Sequence, residues 1–452
     1  MTHFGPRPSR LWFTFSLLLV ALAGCGDDSS PDASSPDAMV DAGPGDATVD
    51  TGRADTGPAD SGSLDAGLTD VPEKGPWSLQ PTTTGFIVRW ESQLAPATVA
   101  VQYEPEAGGV MLEAAGSSTS RVIAEDYGPL PPLSMEPDLR GTYYINEVEV
   151  TGLSPATCYT YEVVDQAGFT GRACTLHTSD DHTTPIVAYV VGDTNPALGH
   201  TVPLFDHQDP RQAEFVIHVG DVQYYMSVVE SWQTWFRLMS PLLEAGPFMV
   251  CIGNHEMEKL DELNDYYRPF FAPTSAESDS TMDRYHYESG GVHFFALNSE
   301  IDMSAGSEQI TWFAAKLDEV EVDPNYRFSI VYFHRPLYSF GDYVPRTDAR
   351  SVIEPILTSH RVPLVIAGHM HGYERFEIGG ITHITSAGGG GLIGNVDEHV
   401  PADAAEAAVR VSSGGFYQSL MLTIGSDNII HGVVMDDLGT VQDSFDKTVV
   451  VP

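Results

Sequence analysis

Short apolar runs rich in β-branched and aromatic residues recur along residues 75–181. Phe86–Trp90, Val99–Tyr103, Tyr143–Val150 and Cys158–Val164 are separated by breaks containing Gly and Pro. Their length and composition predict strands, and so an all-β domain. From Pro185 the pattern changes. Ile186–Val191, Phe215–Val219, Phe248–Ile252, Phe328–Phe333 and Pro363–Ala367 are again of strand length, but longer stretches of helical spacing lie between several of them. In Ser307–Val320, for example, Ile310, Phe313, Ala314 and Leu317 share one helical face. Strands alternating with helices predict an α/β layered domain over 182–452. Ahead of both domains the apolar run Leu11–Ala23 is too short to span a membrane, and residues 26–74 offer almost nothing to bury.

The chain has 452 residues, 42% of them hydrophobic, enough for two or three cores. It carries 63 acids against 22 bases, a net charge of −41. A nucleic-acid binder presents a basic face, so this balance excludes that class. No apolar run after residue 25 approaches the roughly 20 residues of a membrane-spanning helix. Residues 26–74 hold twelve acids and two bases, with Asp recurring singly among Ala, Gly, Ser, Thr and Pro. Calcium loops cluster their carboxylates and end on a distal Glu, which this stretch lacks. It reads as a disordered acidic linker spanning roughly 40 Å.

Arg7 and Arg10 precede Leu11–Ala23, as the charged and apolar parts of a secretion signal do. The run ends in Leu22-Ala23-Gly24-Cys25, which resembles a bacterial lipobox. That resemblance implies cleavage before Cys25, its lipidation, and an exported chain anchored to the outer membrane or cell surface through Cys25 only. Cys158 and Cys174 lie on alternating runs either side of Asp165-Gln166-Ala167-Gly168, a hairpin-turn sequence that places them opposite each other or nearly so. A cross-strand disulfide suits an exported protein. Cys251, inside an apolar run, reads as a buried free thiol.

Five short motifs close or follow the later apolar runs: Gly192-Asp193-Thr194, Gly220-Asp221-Val222-Gln223-Tyr224, Gly253-Asn254-His255-Glu256, Val331-Tyr332-Phe333-His334, and Gly368-His369-Met370-His371-Gly372-Tyr373-Glu374-Arg375. Open α/β sheets take their ligands at such strand ends. The set supplies two carboxylates, one phenol, one amide and three imidazoles. Those donors suit two borderline-to-hard metal ions held close together. Each motif alone is weak; the five in order, each at a strand end, are specific.

In that order the motifs resemble the calcineurin-like metallophosphoesterases, and more narrowly the purple acid phosphatases. Tyr224 stands three residues after Asp221, where the narrower family keeps a tyrosinate ligand, and Gly368–Arg375 matches its Gly-His-x-His-x-Tyr-Glu-Arg tail. The stretch Leu153-Ser154-Pro155-Ala156-Thr157-Cys158-Tyr159 resembles the strand corner of fibronectin type III domains. The implied architecture is a fibronectin III-like β-sandwich over 75–181, then the metallophosphoesterase domain, a layered βαβ sandwich. The partner of the sandwich is unknown. Carried over, Asp193, Tyr224 and His371 hold a first ion, Fe(III); Asn254, His334 and His369 hold a second, Zn(II), Fe(II) or Mn(II); Asp221 bridges them. The activity implied is hydrolysis of small phosphomonoesters by a metal-bound hydroxide.

His255 resembles an outer-sphere histidine that hydrogen-bonds the substrate or protonates the leaving alkoxide, the other reading being that it orients Asn254. Glu256 reads as fixing a nearby group. The chain departs from the family in having Asn195 in place of a glycine after Asp193. It also has Arg335 where a second histidine often follows the fourth motif, which leaves the general acid unassigned. Arg335 either clamps a phosphate oxygen or pairs with one of the many acids. Gly388–Gly391 reads equally as a wall of the site or a flexible turn. Two rivals stand beside the phosphatase: a phosphodiesterase or nucleotide hydrolase on the same metals, and a non-enzymatic adhesion lipoprotein.

Overall fold

The computed structural model describes residues 72–123, 141–224, 229–257, 262–272 and 284–451. The expected signal at 1–25, with Cys25, and the linker as far as residue 71 lie outside the described residues. The first strand, β1 (Pro72–Thr82), begins ahead of the expected domain start at 75. Lys74 gives the reason: it is buried, with its ammonium 2.5 Å from Glu91 on the neighbouring strand. It is a packing residue of the sheet, not the end of a spacer.

The N-terminal strands continue as β2 (Gly85–Ser92), β3 (Ala100–Pro105), β4 (Leu112–Ala115), β5 (Ser117–Ile123), β6 (Gly141–Thr151), β7 (Cys158–Val163) and β8 (Thr170–Cys174). They form two four-stranded sheets, ordered β1-β2-β6-β5 and β4-β3-β7-β8. Phe86, Val88, Trp90, Val101, Val148, Tyr159 and Tyr161 fill one core, as alternating apolar positions dictate. The turn between β7 and β8 places Cys158 directly opposite Cys174, and the two are disulfide-bonded. At the corner before β7 the Tyr159 hydroxyl accepts the backbone N–H of Ser154 at 3.0 Å.

The second part holds β9 (Ile186–Val191), β10 (Phe215–His218), β11 (Phe248–Val250), β12 (Tyr285–Ser289), β13 (Val292–Ala296), β14 (Phe328–Tyr332), β15 (Leu364–Ala367), β16 (Tyr373–Ile378), β17 (Ile381–Ser386), β18 (Arg410–Gly414), β19 (Gln418–Ile424), β20 (Ile429–Asp436) and β21 (Val441–Thr448). These make two mixed sheets, β11-β10-β9-β19-β20-β21 and β12-β13-β14-β15-β17-β16-β18. Val190, Ile217, Phe294, Ile330, Ile366 and Leu422 belong to the core between them. Helices cover the outer faces. Thr201–His207 and Val229–Leu238 pack on the first sheet, and Glu308–Val320 and Thr347–Ser359 on the second. Ser307 caps the third of these, its hydroxyl accepting the Ile310 N–H. The layers therefore run helix, sheet, sheet, helix rather than as the expected βαβ sandwich. The strands are apolar on both faces, so one face seeks the other sheet while its opposite takes a helix.

The N-terminal sheets pack on the second part as one compact unit. Trp77 sits among Phe236, Phe270 and Phe271. Its indole N–H and the Arg89 guanidinium both donate to the Phe270 carbonyl, at 3.0 and 3.1 Å. In the second part β9, β10 and β11 are parallel, and so are β13, β14, β15 and β17. The carboxyl ends of each parallel set therefore lie on a common edge.

Candidate metal centre

That edge gathers the motif residues. Asp193 follows β9, Asp221 follows β10, Asn254 follows β11, His334 follows β14 and His369 follows β15. Asp193, Asp221 and His369 adopt φ of +58°, +50° and +70°, a left-handed conformation that costs on the order of 1 kcal/mol for a residue bearing a Cβ. Sharp reversals at these positions turn the side chains back over the sheet edge. The glycines alongside leave room for that. A Cβ on Gly253 would stand 2.2 Å from Asp221 Oδ1, and one on Gly368 2.6 Å from Asp193 Oδ2.

Two clusters of donors result, and they share Asp221. Asp221, His334 and His369 bring one ligand atom each within 4.8 Å of one another, and so do Asp193, Asp221 and His371. Tyr224 extends the second cluster, its hydroxyl 2.8 Å from His371 Nε2 and 3.3 Å from Asp193 Oδ1. Asn254 extends the first, its Oδ1 3.2 Å from His334 Nε2. All seven residues expected as metal ligands thus meet, and Asp221 is the residue common to both clusters.

Backbone carbonyls fix the histidine tautomers. His334 Nδ1 lies 2.8 Å from the Val219 carbonyl and His371 Nδ1 2.7 Å from that of Leu392. A carbonyl can only accept, so Nδ1 carries a proton in both rings, and it is Nε2 that faces the cluster and is free to ligate once deprotonated. This is the usual way a ligating imidazole is oriented. With no ion bound, the neighbouring carboxylates hold a further proton on His334, which an ion at Nε2 would displace. Burial opposes a charge on His334, yet the Asp221 and Asp193 carboxylates outweigh it and raise the imidazole to about 10. Burial also raises Asp193 above its ordinary range, against the pull of His334 and His371. Burial, then Asp193 and Asp221, hold the Tyr224 phenol well above the usual tyrosine value. Negative groups crowded out of water in this way demand compensating cations. The donor set of carboxylate, phenol, imidazole and amide fits two hard or borderline ions.

Glu256 is buried and binds no cluster atom. It accepts the backbone N–H groups of Asp221 at 3.0 Å, Val222 at 2.8 Å and Gly253 at 2.8 Å, fixing neighbouring groups as the sequence suggests. His255 lies at the open side, its ring centroid 4.4 Å from that of Tyr224 and its Nε2 3.8 Å from Asp221 Oδ2. Arg335 pairs with an acid, the second of its two readings, and also reaches a ligand histidine. Its Nε bonds both oxygens of Glu300, at 2.9 and 2.8 Å, while Nη1 lies 3.1 Å from His369 Nε2. The glycine run walls the site. Gly391 donates to the Asp193 carbonyl, and a Cβ there would stand 2.8 Å from the His371 ring.

Two participants carry no motif. Glu300 follows the apolar run Val292–Leu297, so polar residues just past a strand were a usable signal. Tyr343 comes nine residues after His334 in an irregular loop, yet its ring lies 5.1 Å from the His369 ring and 5.4 Å from that of His371. Nothing local in the sequence announces it.

Residues 176–373 match the calcineurin-like phosphoesterase family and residues 72–184 the purple acid phosphatase N-terminal domain family. Purple acid phosphatase 18 of Arabidopsis thaliana is 31% identical over 199 residues, which is 42% of this chain and 45% of that protein. Purple acid phosphatase 23 of the same plant is 27% identical over 358 residues, 68% of this chain and 75% of that protein. Among solved structures, a purple acid phosphatase from yellow lupin (Lupinus luteus) seeds superposes with a TM-score of 0.67 at 18% identity, covering 83% of this chain and 75% of that one. PhoD gives a TM-score of 0.59 at 11% identity, with 84% of this chain and 90% of that one covered. Both structural likenesses concern the fold.

Proposed function

We propose that this purple acid phosphatase-like chain, a calcineurin-like metallophosphoesterase with a purple acid phosphatase N-terminal domain, hydrolyses phosphomonoesters at a binuclear metal centre. The observation that carries the reading is the pair of donor clusters meeting at Asp221. In this reading Asp193, Tyr224 and His371 hold Fe(III), Asn254, His334 and His369 hold Zn(II), Fe(II) or Mn(II), and Asp221 lies between. Such a pair of ions supplies Lewis acidity toward phosphoryl oxygens and acidifies water.

The protein's own groups do the rest. The Val219 and Leu392 carbonyls keep His334 and His371 with Nε2 inward. Glu256 keeps the loops after β10 and β11 in register. His255 faces the open side, where it hydrogen-bonds a phosphate oxygen or hands a proton to the leaving oxygen. Glu300 aims the Arg335 guanidinium at the same edge, where its remaining N–H groups reach a phosphoryl oxygen. The N-terminal sheets we read as fibronectin type III-like, on the two-sheet core and the Tyr159 corner. Export and a lipid anchor at Cys25 rest on the signal-like residues 1–25; loss of radiolabelled palmitate in Cys25→Ser tests them.

Elemental analysis of native protein, together with initial rates on an aryl phosphate and an aryl phosphodiester, tests the whole. About two metals per chain and a monoester preference are expected. A strong diester preference would overturn the monoester assignment, and no hydrolysis with both metals loaded would favour the adhesion lipoprotein. A visible absorption band lost in Tyr224→Phe supports iron beside the phenol. A colourless active enzyme would retire iron and leave the phosphoesterase.

A further inference from the structure

Five of the seven ligand residues are buried and Tyr224 and Asn254 are half-buried, but the rim beside them is apolar and open. Tyr343, whose ring leans over His369 and His371, is 37% exposed. Leu392, whose carbonyl holds His371, is 60% exposed, and Val344 beside Tyr343 is 71% exposed. Single exposed apolar residues need no explanation, but a ring over two ligand imidazoles, and a leucine whose backbone carbonyl holds one of them, on two loops tied together do. The loops are fixed. Asp342 exchanges hydrogen bonds with Asn395, by its N–H to the Asn395 carbonyl and by its carboxylate from the Asn395 N–H. Phe340 donates to Glu374 and accepts from the His399 N–H.

The charges around this rim are unhelpful to a polyanion. Among the described residues, the one cation that contacts a ligand side chain is Arg335, and Glu300 already holds it. Arg346 nearby is paired with Asp348 on two nitrogens, and Arg410 with Glu374 and Asp397. Among the described residues, a second or third phosphate group would meet Asp342 and Glu300 with no spare cation.

We propose that the site selects phosphomonoesters with an apolar, aromatic leaving group over polyanionic esters such as nucleotides, and that Tyr343 and Leu392 are the residues that select. This rests on the phosphoesterase reading of the metal centre. The phosphate sits at the metal cluster beside Arg335, and the leaving group lies against the Tyr343 ring and the Leu392 side chain. Stacking of this kind and the apolar area removed from water discriminate by about tenfold or somewhat more.

Two measurements on metal-replete protein test it: calorimetric affinities for phenylphosphonate, methylphosphonate and inorganic phosphate, and kcat/KM for 1-naphthyl phosphate, glycerol 2-phosphate and ATP. Phenylphosphonate is expected to bind about tenfold tighter than methylphosphonate, and the naphthyl-to-glyceryl ratio to exceed about ten, with ATP the poorest substrate. Tyr343→Ala should lower both ratios by about tenfold, and Leu392→Ser, an exposed change that keeps the carbonyl to His371, by about threefold. Phosphate binding with no aryl preference, ratios unmoved in both variants, or ATP as the best substrate would overturn the selection and leave the phosphoesterase standing. Failure of phosphate and both phosphonates to bind would remove both readings together.

Discussion

Replacing Glu256 separates the geometry of the metal centre from its ligands. The carboxylate is 1% exposed and accepts three backbone N–H groups, from Asp221, Val222 and Gly253. It thereby ties the loop carrying Asp221 to the loop carrying Asn254. Glu256→Ala leaves those three donors buried without an acceptor. At about 1–3 kcal/mol for each orphaned group the bare sum is about 3–9 kcal/mol. Water entering the vacated volume serves part of that demand, so about 3–5 kcal/mol is the expected loss. Glu256→Gln is the control. Its oxygen at the Oε2 place still serves Asp221 and Gly253, while its amide faces the Val222 N–H, at a cost of about 1–3 kcal/mol. Urea unfolding of metal-stripped protein should rank wild type above Gln above Ala, and elemental analysis should show the Ala variant losing metal. An Ala variant within about 1 kcal/mol of wild type that still carries a full metal complement would refute the positioning role.

Other tests lie away from the metals. His177 is buried between Asp181, 3.2 Å from Nδ1, and Glu214, 2.9 Å from Nε2. Burial alone would lower its pKa, but the two carboxylates raise it. Its stabilisation is therefore complete below about pH 6.5 and lost as pH rises through the raised value. The stability gap between wild type and His177→Gln should be wider at about pH 5 than at about pH 9; a gap that is flat or widens with pH contradicts this. The Cys158–Cys174 bridge closes a loop of sequence separation 16, so replacing both cysteines with serine should cost about 3 kcal/mol in urea unfolding. A change under about 0.5 kcal/mol would show the reduced hairpin to be as constrained as the oxidised one. Tyr159→Phe deletes the bond to the Ser154 N–H and should cost about 1 kcal/mol, read as a lower unfolding midpoint with unchanged denaturant slope.

The sequence made the metal centre legible because each ligand sits one to five residues past an apolar run, and such runs announce themselves locally. Ile381–Ser386 is a strand over the same residues that its pattern marks, and Ile186–Val191 likewise. What local pattern cannot carry is which strand lies beside which. β19 inserts next to β9 although more than two hundred residues separate them in sequence, and only that pairing completes the first sheet. The layer order failed for the same reason. Residues 72–74 read as the end of the acidic linker because nothing local marks them for burial; the partner that buries Lys74 is Glu91, on another strand. Tyr343 belongs to the site through tertiary placement alone.

The residues that break local rules and the residues that carry the chemistry are largely the same. Asp193, Asp221 and His369 take a backbone conformation that disfavours them, and two of these bury carboxylates with one guanidinium nearby. Neither feature stabilises the chain by itself, and both are unfavourable without ions. They persist because the surrounding structure over-determines them. The two-sheet core fixes the strand ends, Glu256 fixes the loops between them, and the carbonyls of Val219 and Leu392 fix the rings. A structural role alone would call for lysine or arginine partners at these carboxylates, as Lys74 and Arg121 provide for Glu91 in the N-terminal sheets. The contrast between those two buried acidic sites in one chain, one closed with side-chain cations and the other ringed with inward imidazole nitrogens, is the physical reason to assign the second to metal ions.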